Sequence, residues 1–307
     1  MKKKVLVIVG PTASGKSGLG VKLSKEFNGE IVSADSRQVY KGLDIGSGKV
    51  TKKEMQGVPH HLLDVASPKI RFSASDYKKL GDKAIEQIIK KNKLPIIVGG
   101  TGFYIDTLTS KMVLPEVPPN PKLRKTLEAK TTEALYKILQ KKDQERAKNI
   151  DSKNKVRLIR ALEIIEALGK VPSEQHRMLL KYDYIYVGVN PEKEVLEKLI
   201  YKRLLARLLG MIKEAKKLHR DGLTYKRMEE LGLEYRYLAR LLQNKLTLGH
   251  RLATGEAKKE FIEELYKEIR HYSKRQLTWF KANKKIKWFS SVEFGPIHKY
   301  LERLIGK

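Results

Sequence analysis

An apolar run, Val5-Leu6-Val7-Ile8-Val9, leads straight into Gly10-Pro11-Thr12-Ala13-Ser14-Gly15-Lys16-Ser17. The next residues place Leu19, Leu23 and Phe27 at helical spacing. Strand, glycine loop and helix in that order, with the G-x-x-x-x-G-K-[ST] spacing intact, predict a P-loop. Few sequence features restrict a fold as strongly, because the motif works only where a buried parallel strand hands over to a helix. Backbone N–H groups of the loop and first helical turn converge on one point, and a helix N-terminus favours negative charge there. Gly10 to Ser17 are therefore the candidate phosphate or diphosphate cradle, with Lys16 as a point charge and the Ser17 hydroxyl as a Mg²⁺ ligand. The spacing is shared with ATP-binding proteins and does not say whose phosphate is held, nor whether a phosphoryl group moves.

The following residues continue an α/β pattern. Residues 30–34 read as a buried strand ending in Asp35-Ser36-Arg37-Gln38-Val39-Tyr40. Ligands of open parallel sheets sit beyond the carboxyl ends of strands, so Asp35 points to the same crevice as the glycine loop; a turn or cap role is its alternative. Residues 41–48 read as a flexible loop and 58–65 as a third short strand. His60 and His61 face opposite sides of such a strand, which favours structural hydrogen bonding over a shared metal. A helical pattern covers 72–91, with Ser73 or Ser75 as N-cap. A fourth strand, 94–98, ends in Gly99-Gly100-Thr101-Gly102-Phe103-Tyr104, where a nucleotide-hydrolysing P-loop protein usually carries a magnesium-binding Asp. Here the strand end offers close backbone approach and a hydroxyl instead.

A proline-rich connector, Leu114-Pro115-Glu116-Val117-Pro118-Pro119-Asn120-Pro121, opens a stretch with no strand pattern and helices at about 122–129, 132–141 and 154–168. The predicted organisation is thus a parallel-sheet core (1–114), an all-helical insertion (115–181) and a second, mostly helical core segment (182–307). In that last segment 182–189 reads as a strand. A helix through about 218 holds Arg203 and Arg207 one turn apart, two helices cover 223–243, 247–256 is a loop and 257–282 a long helix with a basic end. Trp279 and Trp288 read as packing residues. Sixty-four Lys+Arg against 35 Asp+Glu give a formal charge of +29, which attracts polyanions, nucleic acid first. No cysteine is present, so disulfides and thiolate zinc sites are excluded. No apolar run approaches the roughly 18–20 residues of a membrane span. The basic N-terminus runs directly into the glycine loop and reads as a first strand, not a leader; a cytoplasmic protein is expected. With no apolar heptad seam, a monomer is expected.

Four blocks taken together resemble one family: the glycine loop; Ser33-Ala34-Asp35-Ser36-Arg37-Gln38-Val39-Tyr40 with Gly42-Leu43-Asp44-Ile45-Gly46; Gly99-Gly100-Thr101-Gly102-Phe103-Tyr104; and Tyr272-Ser273-Lys274-Arg275-Gln276-Leu277-Thr278-Trp279-Phe280. The chain resembles the tRNA dimethylallyltransferases, also called tRNA isopentenyltransferases, over nearly its whole length. That resemblance implies a P-loop-kinase-like core with a helical insertion, and transfer of a dimethylallyl group from dimethylallyl diphosphate to N6 of adenosine 37 of tRNA. It implies that the loop holds a prenyl diphosphate with Mg²⁺ on Ser17. It further implies that Asp35 is the general base, and that Thr101 and Arg203 act on the diphosphate, with Arg207 as the alternative to Arg203. Ser36, Arg37 and Gln38 match the stretch beside the flipped base. Arg124 matches an arginine that follows the connector, and Val156-Arg157-Leu158-Ile159-Arg160 a tRNA-contact segment. On the residues alone, salt bridging on a helix surface is the alternative for these arginines. A small-molecule or nucleoside kinase on the same fold is the competing reading, but it leaves the positive charge and Thr101 without a task. A non-enzymatic RNA-binding protein leaves Asp35 without one.

Overall fold

The computed structural model describes residues 2–109, 114–172, 180–243 and 255–306. In chain order the first elements are β1 (Lys4–Val9), α1 (Lys16–Glu26), β2 (Gly29–Ala34), α2 (Lys52–Met55), β3 (His60–His61), α3 (Ala74–Lys90), β4 (Leu94–Gly99) and α4 (Gly102–Thr109). Four helices follow: α5 (Pro121–Glu128), α6 (Thr132–Lys142), α7 (Gln144–Lys148) and α8 (Lys155–Leu168). The chain ends with β5 (Asp183–Val189), α9 (Lys193–Arg220), α10 (Tyr225–Leu231), α11 (Leu233–Leu242), α12 (Gly255–Lys281), β6 (Lys287–Phe289) and α13 (Phe294–Ile305). Two compact units result: residues 1–109 with 180–307, and residues 110–179.

The larger unit is a parallel sheet in the order β3-β2-β4-β1-β5-β6, covered on both faces. Val5 to Val9 are all fully buried, as expected where a strand meets helices on either side. Alternation sorts them. Val5, Val7 and Val9 join Val32 and Ile97 in a core with α3, α4, α9, α11 and α12. Leu6 and Ile8 join Ile31, Ile96 and Val187 under α1 and α13. Ser73, not Ser75, caps α3, in a reciprocal capping box with Asp76.

Several expectations are corrected. The third strand shrinks to two residues, because Leu62 (φ 64°) and Asp64 (φ 56°) enter the left-handed region and end the ladder. His61 contacts Glu30 at 2.8 Å and His60 Nδ1 donates to the Val58 carbonyl, so both histidines have structural partners. Burial opposes ionisation of Glu30, yet His61, Lys93 and Lys91 together hold its carboxyl down at about 2. The loop at 41–48 is anchored by α9 and is not a free loop: Glu214 accepts from Asp44, Ile45 and Gly46 N–H, and Arg203 and Arg207 donate to its carbonyls. The terminal strand β6 and helix α13, absent from the sequence reading, complete the sheet edge and one layer. The predicted loop at 247–256 lies outside the described residues, apart from the first residues of α12.

In the smaller unit, Asn120, Thr131, Asp143 and Asn154 cap the four helices. Leu127, Leu135, Leu139, Leu158 and Leu162 form its core. Glu163 is 2% exposed and accepts from Asn120 N–H, from Nε and Nη2 of Arg124 (2.7 Å each) and from Arg160. Arg160 also donates to the Val117 carbonyl. Two residues of the expected tRNA-contact segment turn their side chains inward. Leu158 and Ile159 are 0% and 7% exposed, because the inner face of α8 packs on α5 and α6, and their side chains are closed to RNA. Arg124 and Arg160 spend their guanidinium groups on Glu163, whereas Val156 (77% exposed) and Arg157 lie on the surface.

Candidate active site

The site is assembled at the carboxyl ends of β1, β2 and β4. Gly15 (φ 84°) starts α1 with no side chain capping its first turn, so those N–H groups stay available to an anion. Within the loop, the Pro11 carbonyl accepts from Ser14 N–H and from Lys16 Nζ at 3.0 Å. Ala13 holds φ 63° and tightens the turn. Ser14 Oγ is buried and has no hydrogen-bond partner among the described residues. Thr12, Lys16 and Ser17 line a cavity, and Gly10 packs its bare Cα against the Val189 carbonyl, where a Cβ would collide with backbone.

Asp35, Arg37 and Gln38 line the same cavity. Asp35 Oδ1 accepts Arg37 N–H at 2.8 Å and Gln38 N–H at 3.3 Å, an Asx-type turn that fixes the carboxylate and leaves Oδ2 without a hydrogen bond among the described residues. Arg37 Nη1 bonds Ser36, but its Nε is buried without a partner. Thr101 stands beside the cavity: its hydroxyl accepts Ser36 N–H at 3.0 Å and contacts Tyr272. Burial, and secondarily Asp35, push the Tyr272 hydroxyl up to about 12, so it is a neutral donor. Gln276 spans the site from α12. It accepts Thr12 N–H at 2.8 Å and donates to the Gly100 carbonyl at 2.8 Å, locking glycine loop to strand end. A Cβ on Gly100 would lie 2.3 Å from that amide nitrogen, so a larger residue there would displace the Gln276 bridge.

The fourth wall is cationic. Arg203 lines the cavity and donates to the Gly48 carbonyl at 3.0 Å; Arg207 instead turns to Ile45, Gly46 and Glu234. Burial, then the charge of Arg207, lower the Arg203 pKa. Burial, then Arg203, pull Lys16 down to about 8, with Asp35 pulling the other way. Buried cations kept this close are held at an electrostatic cost that an incoming polyanion relieves. Glu234 is a second carboxyl in the lining, with its pKa raised by burial against the opposing charge of Arg207.

The family model for "IPP transferase" matches residues 38–283. The chain belongs to the IPP transferase family. Among relatives of this IPP transferase family member, the tRNA dimethylallyltransferase of Pediococcus pentosaceus is 39% identical over 314 residues, covering 99% of this chain and 97% of that protein. The enzyme of the same name from Caldanaerobacter subterraneus is 38% identical, with coverages of 99% and 97%. Among solved structures, the full-length tRNA isopentenylpyrophosphate transferase of Bacillus halodurans superimposes with a TM-score of 0.71 at 34% identity, covering 99% of this chain and 96% of that one. A eukaryotic dimethylallyltransferase acting on tRNA gives 0.81 at 28% identity, covering 99% of this chain and 78% of its own.

For an IPP transferase the donor set fits one divalent ion. Ser17 and Asp35 put hard oxygens on the cavity, and Mg²⁺ takes one or two protein oxygens beside phosphate and water. Among the described residues no cluster of three or more His, Cys, Asp or Glu could hold a metal ion. Sequence reasoning missed Glu234, Glu214 and the bridging role of Gln276. Gln276 stood in a family-like block as one more residue of a helix face, and no local pattern marks the other two.

Proposed function

We propose that this chain transfers the dimethylallyl group of dimethylallyl diphosphate to N6 of adenosine 37 in the anticodon loop of tRNA, releasing diphosphate. The observation that carries this reading is a single cavity shared by the P-loop and Asp35, with the two side-chain polar atoms that are buried without a partner among the described residues on the same two segments: Ser14 Oγ on the loop and Arg37 Nε near Asp35.

In this reading the loop amides, Lys16 and Arg203 hold the diphosphate. The N6 lone pair forms a bond to the allylic carbon. The carbon–oxygen bond breaks, and its electron pair leaves with the diphosphate. The N6 proton passes to the Asp35 carboxylate, which the amides of Arg37 and Gln38 hold in place. Preorganised donors at the departing charge are the main source of rate, and Thr101 keeps the Ser36 turn in register. Mg²⁺ held through Ser17 would supply charge neutralisation on the diphosphate. Adenosine 37 has to leave the loop stack to reach Asp35, as in other base-modifying enzymes, and Ser36, Arg37 and Gln38 line its place. Val156 and Arg157, on a surface whose arginines Arg124 and Arg160 are held by Glu163, supply contacts to the tRNA from the helical unit. A monomeric, cytoplasmic enzyme completes the reading; among the described residues no helix is long and apolar enough to cross a membrane.

Asp35→Asn tests it. The substitution keeps the acceptor oxygen for Arg37 N–H but removes the base. Single-turnover transfer is expected to fall at least about 100-fold while tRNA affinity stays within about threefold. Undiminished transfer would remove Asp35 from the chemistry.

A further inference from the structure

The segment Asp44 to Gly48 belongs to no helix or strand, yet most of its backbone groups are bonded. One helix, α9, grips it at both polarities. Glu214 Oε2 accepts Asp44 N–H (2.9 Å) and Ile45 N–H (2.6 Å), and Oε1 accepts Gly46 N–H (3.0 Å) and the Tyr235 hydroxyl (2.7 Å). Three successive N–H groups converging on one point form a nest that binds anions. The chain fills this one with its own carboxylate.

The carbonyl side of the segment is read by arginines. Arg207 Nη1 donates to the Ile45 carbonyl at 2.8 Å, and its Nε to the Arg203 carbonyl at 3.3 Å. Arg203 Nη2 donates to the Gly48 carbonyl at 3.0 Å, an oxygen that Gln38 Nε2 also approaches at 3.4 Å. Gly48 holds φ 61°, and a Cβ there would lie 2.1 Å from Arg203 Nη2. The guanidinium therefore rests on bare backbone, and its direction depends on where that backbone is. That bond is the one direct contact aiming it among the described residues: Arg203 makes no ion pair shorter than 4.0 Å there, Arg207 repels it, and Glu234, Asp35 and Glu54 attract it only from a distance.

We propose that Glu214 is a positioning residue for transfer: by filling the nest at Asp44, Ile45 and Gly46 it fixes the Gly48 carbonyl that aims Arg203 into the cavity. This rests on the reading of Arg203 as a holder of the leaving diphosphate. Glu214 does not line the cavity itself. Its effect passes through the loop, and misplacement of a charge-stabilising group by about 1 Å costs up to about 100-fold in rate.

The test is a double-mutant cycle read by single-turnover transfer to tRNA. Glu214→Gln puts an amide NH₂ against the N–H donors of the nest. It is expected to lower the transfer rate about 10- to 100-fold in the otherwise unchanged enzyme, and less than about twofold in an Arg203→Ala background, because there is then no guanidinium left to aim. Equal fold losses in the two backgrounds would mean that Glu214 serves only the general fold, and would overturn the proposal. So would an unchanged rate in Glu214→Gln alone. Should Glu214→Gln fail to fold, Tyr235→Phe removes one bond from the same carboxylate and replaces it in the cycle; about threefold is expected beside Arg203 and no loss without it, and equal losses overturn the proposal. The underlying reading fails separately: Arg203→Ala with undiminished transfer would remove Arg203 from the diphosphate and leave Glu214 nothing to aim.

Discussion

Lys16 is the residue where structure and chemistry meet most tightly. Burial and Arg203 pull it down to about 8, so in the free enzyme its charge is lost as pH rises through about 8. Bound diphosphate restores the charge, so the limb belongs to kcat/KM and not to kcat. We expect kcat/KM for dimethylallyl diphosphate to fall above about pH 8, and a profile flat to about pH 9.5 would contradict the account. The same shift sets a stability sign. Between about 8 and 10.5 the unfolded chain holds a proton that the folded chain has released, so this group's contribution rises with pH there, and below about 8 the buried cation costs stability. Lys16→Met should therefore raise Tm at pH 7 by about 2–5 °C while abolishing transfer; a lowered Tm would show that the charge is not under strain. At this scale, what was legible in the sequence was what is contiguous. Gly10 to Ser17 and Asp35 to Gln38 carry their geometry in their spacing. Glu234 was not legible, because Gly232 (φ 75°) and Leu233 (φ 43°) turn α11 into the site and nothing nearby in sequence announces that turn.

At the scale of elements, α8 shows how one buried charge organises a helical unit. Glu163 gathers Arg124, Arg160 and the Asn120 amide around a carboxylate whose pKa is lowered by those partners against its own burial. Removing the negative charge leaves two arginines without their partner. Glu163→Gln is expected to destabilise the helical unit by about 3 kcal/mol, seen as faster amide exchange across α5 and α8 in the full chain; unchanged exchange there would contradict it. Three of the four helices of this unit were readable from their apolar periods, whereas α7 (Gln144–Lys148), five residues long, is too short to show one. Two other elements were not. β6 is three residues long and follows a lysine-rich stretch, and its partner is β5, about a hundred positions earlier. The segment at 41–48 looked free because the groups that hold it, Arg203, Arg207 and Glu214, lie more than 150 residues away. Local pattern reports what a segment prefers, and both of these are set by distant partners.

For the molecule as a whole, a formal charge of +29 on 307 residues is understood if the partner is a polyanion. If about six phosphates are neutralised, tRNA affinity should drop roughly 1000-fold between about 50 and 200 mM salt; affinity insensitive to salt would separate the charge from the function. The central claim is that one cavity serves a prenyl diphosphate and the exocyclic amine of one tRNA base. The most direct measurement incubates the purified protein with unmodified tRNA, Mg²⁺ and radiolabelled dimethylallyl diphosphate, beside a parallel reaction with ATP and no prenyl donor. Label is expected in tRNA, and lost when adenosine 37 is replaced by guanosine. No label in any tRNA, with phosphate passing from ATP to a small acceptor, would contradict it and make this P-loop a kinase's.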